Sequence, residues 1–133
     1  MGVCLDRPMD AEAVFTYGAP ALKFGSGASD EIGFDLSQYD VQRALVIPDA
    51  GVAAPGHPQR VADQLGKFGI SAVVFDDVHV EPTDASLQEA IAFAKAYGPW
   101  DAFVAVGGGS SIDTAKAVNL MSTNSGELMD YIN

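Results

Sequence analysis

Three glycines and a serine in a row, Gly107-Gly108-Gly109-Ser110, are the residues of this chain best suited to chemistry. They follow an apolar run, 102–106, and precede a segment with helical spacing. Glycines let the backbone turn tightly and keep side chains out of a ligand's way. A helix starting there offers unpaired N–H groups and the positive end of its dipole. Together these features suit a phosphate or pyrophosphate, with the amides of Gly108, Gly109 and Ser110 aimed at its oxygens. Ser110 is placed to cap the helix, and Asp113, three residues on, to reach back as in a capping box. The same glycines also suit a plain strand-to-helix turn with no ligand. Their spacing is neither the six-residue dinucleotide fingerprint nor a Walker loop.

Asp49 is the second candidate, because it follows another apolar run, 44–47. A carboxylate at the end of a neighbouring strand can accept hydrogen bonds from both ribose hydroxyls of an adenosine. It repels a 2′-phosphate and so favours NAD over NADP. Asp49 also suits a simple turn in Pro48-Asp49-Ala50-Gly51. Glu81, in Glu81-Pro82-Thr83-Asp84, ends the second strand unit and is placed to face an adenine or ribose, while Thr83 or Asp84 caps the next helix. His57 and His79 are the only histidines, and they lack a carboxylate or cysteine at ligand spacing. No metal site is predicted from them, and His57, between Gly56 and Pro58, reads as a surface loop residue. No Ser-His-Asp or Cys-His arrangement is present, so no catalytic residue is predicted in this chain. Lys116 reads as an exposed or phosphate-side helix residue.

The elements that must position these residues alternate. Segments 13–17 and 21–24 are short strand candidates, an N-terminal hairpin or edge strands, and 29–36 is a helix capped by Ser29. Runs 44–47, 72–75 and 102–106 are continuously apolar, as strands buried on both faces are. Between them, 48–55 reads as a loop. Segment 58–68 reads as a helix with Val61, Leu65 and Phe68 on one stripe and Gly69 past its end. Segment 83–97 is a helix stopped by Gly98-Pro99, 110–122 is another, and 125–132 holds a last short one. Strand, helix, strand, helix, strand, helix predicts an α/β fold: a Rossmann-like parallel sheet with helices on both faces. Right-handed crossovers put every strand-to-helix loop at one sheet edge, where such sheets bind ligands. Loops 48–51 and 107–110 are therefore the ones that matter.

Composition narrows the partners. The chain has 133 residues, enough for one domain with a buried core. Residues 1–13 read as a flexible N-terminus and 14–133 as the dinucleotide-binding domain. A net charge of −11 leaves no basic face for nucleic acid. No apolar run approaches a membrane span, and the first ten residues lack a signal-peptide core. The single cysteine, Cys4, allows no disulfide framework and fits a reducing compartment, read as the cytoplasm.

With these residues in place, the chain resembles the iron-containing (group III) alcohol dehydrogenases. Gly107-Gly-Gly-Ser-Ser-Ile-Asp-Thr-Ala-Lys116 looks like their glycine-rich signature, and Phe24-Gly-Ser-Gly27, Asp49, Gly56-His57 and Glu81-Pro82-Thr83 fall in the same order. His79-Val-Glu-Pro-Thr-Asp84, Asp101-Ala-Phe-Val-Ala-Val-Gly-Gly-Gly-Ser110, Lys116-Ala-Val-Asn-Leu120 and Asp130-Tyr-Ile-Asn133 are most similar to the hydroxyacid-oxoacid transhydrogenase branch. The resemblance implies that Gly107, Gly108, Gly109 and Ser110 hold the pyrophosphate of NAD, that Asp49 selects NAD, and that Glu81 lies near the adenosine. It also implies a helical second domain whose aspartate and histidines bind Fe²⁺ or Zn²⁺ and polarise an alcohol or hydroxyacid for hydride transfer. No counterpart of that domain is expected within these 133 residues, so the chain is expected to bind NAD and to be inactive alone. A homo-oligomer through the N-terminal strands fits this picture. The alternatives are a non-enzymatic nucleotide or phosphate module, expected to bind tightly by itself, and a ligand-free scaffold, expected to tolerate a bulky residue at Gly108.

Overall fold

The computed structural model describes residues 18–77 and 83–131. Its centre is a three-stranded parallel sheet of β1 (Arg43–Pro48), β2 (Ser71–Val74) and β3 (Ala102–Val106), in the order β2-β1-β3. Five α-helices accompany it: α1 (Ile32–Ser37), α2 (Ala50–Ala53), α3 (His57–Gly66), α4 (Asp84–Tyr97) and α5 (Gly109–Thr123). Short 3₁₀ turns cover Ala28–Glu31 and Leu128–Asp130.

β1 is central because its side chains are apolar on both faces. Leu45 and Ile47 point into a cluster with Phe75, with Ala90, Ile91 and Ala94 of α4, and with Ala115, Val118 and Met121 of α5. Ala44 and Val46 point the other way, into Val61 and Leu65 of α3, Ile70 and Val104. Each large aliphatic side chain so buried contributes about 1.5–3 kcal/mol by leaving water. Helices therefore cover both faces of the sheet, as the continuous apolar strands predict. In register, Leu45 lies beside Val73 on one side and Phe103 on the other.

Local signals set the ends of these elements. Thr83 and Ser86 form a reciprocal capping box, with the Ser86 amide donating to Thr83 Oγ1 at 3.1 Å and the Thr83 amide to Ser86 Oγ at 2.8 Å. At the far end of α4, the Trp100 indole N–H donates to the Ala94 carbonyl at 2.9 Å, and the Arg43 guanidinium lies 4.2 Å from the Trp100 ring centroid. Asp101 accepts from the amides of Gln42 and Arg43 at 3.0 and 2.9 Å, which ties the starts of β1 and β3 together.

Several expectations are corrected. Residues 21–24 form no strand; Leu22 and Phe24 are 86% and 98% exposed. A strand needs a hydrogen-bonding neighbour, and among the described residues none pairs with 21–24. The companion candidate 13–17, the N-terminus 1–13 and Glu81 lie outside the described residues. Ser29 caps nothing: a 3₁₀ turn entered from left-handed Gly27 runs into α1. The loop after β1 contains a single helical turn, α2, because Asp49 caps it. His57 is not in a loop but is the first residue of α3. Phe68 lies past the end of α3, is 45% exposed, and packs edge-on against Phe34 instead of joining the core.

Candidate functional site

The chain leaves β1 toward β2 on one side and returns through α4 to β3 on the other. Strand order therefore reverses between β1 and β3, and the two strands open a crevice at their carboxyl ends. The structure puts Asp49 and the Gly107–Ser110 loop at that crevice. The Asp49 amide donates to the Val106 carbonyl at 3.1 Å, so the two loops start in contact.

Asp49 binds three backbone amides. Its Oδ1 accepts from Gly51 and Val52 at 2.9 and 3.0 Å, capping α2, and its Oδ2 accepts from Gly108 at 2.9 Å. The Gly108 amide chiefly holds the carboxyl below its ordinary pKa; burial pushes it upward, and the Val52 and Gly51 amides add to the lowering. The expectation that Asp49 accepts from both ribose hydroxyls is narrowed accordingly. A carboxylate oxygen has about two acceptor sites, so Oδ1 is filled and Oδ2 keeps one.

The three glycines are not equivalent. Gly107 has φ 146°, a conformation side chains rarely adopt, and a Cβ there falls 2.2 Å from Asp49 Oδ2 and 2.9 Å from Ser111 Oγ. Packing alone requires glycine at this position. A Cβ on Gly108 meets only Asp49 Oδ2, at 3.9 Å, and one on Gly109 meets nothing within 4 Å. A plain turn thus explains Gly107 and leaves Gly108 and Gly109 unexplained.

α5 begins at Gly109 with Gly108 as its N-cap residue, and no side chain caps it. Ser110 is not the cap, and Asp113 does not reach back; Asp113 lies 3.9 Å from the exposed Lys116. The helix starts earlier than the first polar residue suggests because Asp49, from another loop, takes the Gly108 amide. Ser111 was not singled out as a site residue. It is fully buried, and its Oγ donates to the Gly108 carbonyl at 2.9 Å. The amides of Gly109 and Ser110, at the first turn of α5, remain turned toward the crevice end of the helix, where intrahelical partners do not exist.

Other hollows contribute less. One of about 220 Å³ lies under the same edge, lined by Val52, His57, Arg60, Val61 and Val106. A larger one, about 580 Å³, lies away from the crevice between Ala21, Lys23, Ile32 and Tyr39 and is broadly open to solvent. Among the described residues no three His, Cys, Asp or Glu side chains converge to hold a metal ion, so none is assigned to one. No helix among them is long and apolar enough to cross a membrane.

The sheet order and the glycine loop at its switch point define the chain as an α/β domain of the doubly wound kind. It belongs to the iron-containing alcohol dehydrogenase family, whose description matches residues 19–133. Among curated relatives, the mitochondrial hydroxyacid-oxoacid transhydrogenase of Mus musculus is 42% identical over 124 residues, covering 92% of this chain and 26% of that protein. Its Bos taurus counterpart is 42% identical over 120 residues, covering 90% and 26%. The chain thus spans about a quarter of the length of the relatives it matches. Among solved structures, NADH-dependent butanol dehydrogenase A of Thermotoga maritima superposes with a TM-score of 0.77 at 29% identity, covering 88% of this chain and 30% of that one. A 1,3-propanediol oxidoreductase superposes at 0.78 and 28%, covering 89% and 31%. The cytoplasmic expectation is overturned by the hydroxyacid-oxoacid transhydrogenase relatives, which are mitochondrial proteins by name. Cysteine content separates oxidising from reducing compartments, not one reducing compartment from another.

Proposed function

We propose that this chain forms the NAD-binding half of the cleft of an iron-type alcohol or hydroxyacid oxidoreductase. The observation that carries the proposal is the open space over Gly108 and Gly109 at the uncapped start of α5. Side chains fit there without disturbing the fold, so the glycines answer to something outside it. A dinucleotide pyrophosphate, which must approach the helix N-terminus closely, is that group.

The residues divide the work of binding. The amides of Gly109 and Ser110 receive the pyrophosphate, and the dipole of α5 favours its charge. The remaining acceptor site of Asp49 Oδ2 takes one hydroxyl of the adenosine ribose, and its negative charge disfavours a 2′-phosphate. The family resemblance assigns Glu81 to the adenosine side. The nicotinamide, once bound, supplies the hydride acceptor. Fe²⁺ or Zn²⁺ and the alcohol or hydroxyacid contacts belong to portions of the longer relatives that these residues do not match.

Titration of the chain with NAD, ADP-ribose and ADP tests this. Binding of all three with similar affinity supports a site that reads the ADP portion. Tight binding of ADP with rejection of NAD favours the nucleotide module without dehydrogenase chemistry, and no binding by any of them sinks the proposal.

A further inference from the structure

Gly108 is the residue of the glycine loop whose two flanking peptide groups are both held by side chains. Its N–H donates to Asp49 Oδ2 at 2.9 Å, and its C=O accepts from Ser111 Oγ at 2.9 Å. The two partners come from different places: Asp49 ends β1, and Ser111 lies within the first turn of α5. Ser111 is 0% exposed and its hydroxyl reaches no solvent, so it has no direct role with a ligand. Gly107 passes between the same two side chains, close enough that a Cβ collides with both.

We propose that Asp49 and Ser111 act together as positioning residues, clamping the two peptide groups that flank the Gly108 Cα so that the next two amides, Gly109 and Ser110, face a diphosphate. The inference rests on the dinucleotide assignment above for the identity of the ligand, but the clamp itself is a property of the free protein. Its physical basis is preorganisation. Gly107 and Gly108 have wide conformational freedom, and a loop that must be ordered on binding loses affinity for that ordering. Fixing the peptide planes on both sides of the Gly108 Cα, the second of which carries the Gly109 amide, removes most of that freedom before the ligand arrives. In this scheme Asp49 affects ligands that contain no ribose at all, which a selector acting on the sugar alone does not.

Two measurements test the clamp. The first is amide hydrogen exchange in the free chain. Gly108 is expected to exchange more slowly than Gly109, with Asp49→Gly removing that protection and Ser111→Ala lessening it while the melting transition stays cooperative. Equal exchange at Gly108 and Gly109 in the unaltered protein overturns the proposal whatever the ligand. The second is titration with inorganic pyrophosphate and with NAD. Ser111→Ala and Asp49→Asn are each expected to bind both about tenfold more weakly, the change one ordinary lost hydrogen bond gives. Unchanged pyrophosphate binding in both variants, with NAD affinity reduced only in Asp49→Asn, contradicts the clamp and leaves Asp49 a ribose selector. If the unaltered chain protects Gly108 but binds neither ligand, the dinucleotide assignment fails and the clamp stands as a feature of the free loop.

Discussion

A Cβ placed on Gly107 falls 2.2 Å from Asp49 Oδ2, well inside any real contact. The end of β1 and the end of β3 are therefore packed so closely that one must be glycine for the other to be aspartate. Gly107→Ala is expected to displace the Asp49 carboxylate, disrupting its hydrogen bonds and adding strain at φ 146°. We expect a loss of about 1–3 kcal/mol in stability by denaturant unfolding, as for residues forced into disfavoured backbone conformations.

Gly109→Ala is the contrasting case. Its Cβ meets nothing, and it stands at the first position of α5. The substitution is expected to keep the melting temperature or raise it, since replacing a compatible glycine stabilises by about 0.4–1 kcal/mol. NAD affinity is expected to fall, because the methyl group occupies the space assigned to the pyrophosphate. A variant with unchanged affinity in calorimetric titration removes the argument drawn from the open glycines.

Ile47 is fully buried in the centre of β1 and touches the cluster formed by α4 and α5. Ile47→Ala is expected to cost about 2–5 kcal/mol, measured as a lowered denaturation midpoint with an unchanged slope. Thr83→Ala removes one half of the capping box of α4 and is expected to cost about 1 kcal/mol.

Acid is expected to weaken the site. The Asp49 pKa is lowered in the folded chain, chiefly by the Gly108 amide. Its stabilisation is therefore fully present above the ordinary carboxylate value of 3.8 and is lost as pH falls through the lower folded value. In an NMR titration, the Gly108 amide shift is expected to move only below that value. Movement centred above it contradicts the assigned hydrogen bond.

Much of this was legible in the residues themselves. The strands at 44–47 and 102–106 announce themselves because each is apolar on both faces, and the helix 84–97 because Thr83 and Gly98 bound it. The crevice follows from the alternation of elements, since parallel strands bring their carboxyl ends to one edge. Pairings between distant loops were not legible. Asp49 reaches across to Gly108, 59 residues away, and in doing so displaces Ser110 as the cap of α5. Nothing near Ser110 in sequence signals that a carboxylate from another loop already holds the preceding amide. Ser111 escaped notice for the same reason, as a buried serine gains its role only from the peptide it faces. Residues 21–24 show the opposite error, a β-rich run that pairs with no strand among the described residues.

The central claim is that this edge of the sheet binds NAD and that Asp49 selects it. Calorimetric titration of the chain with NAD and NADP, repeated on Asp49→Gly, tests it most directly. Glycine is tolerated as a helix N-cap, so α2 survives the change. The account predicts NAD binding tighter than NADP in the unaltered chain, and weaker binding with the preference lost in the variant. Equal affinities for NAD and NADP before substitution, or a preference that persists without the carboxylate, contradict it.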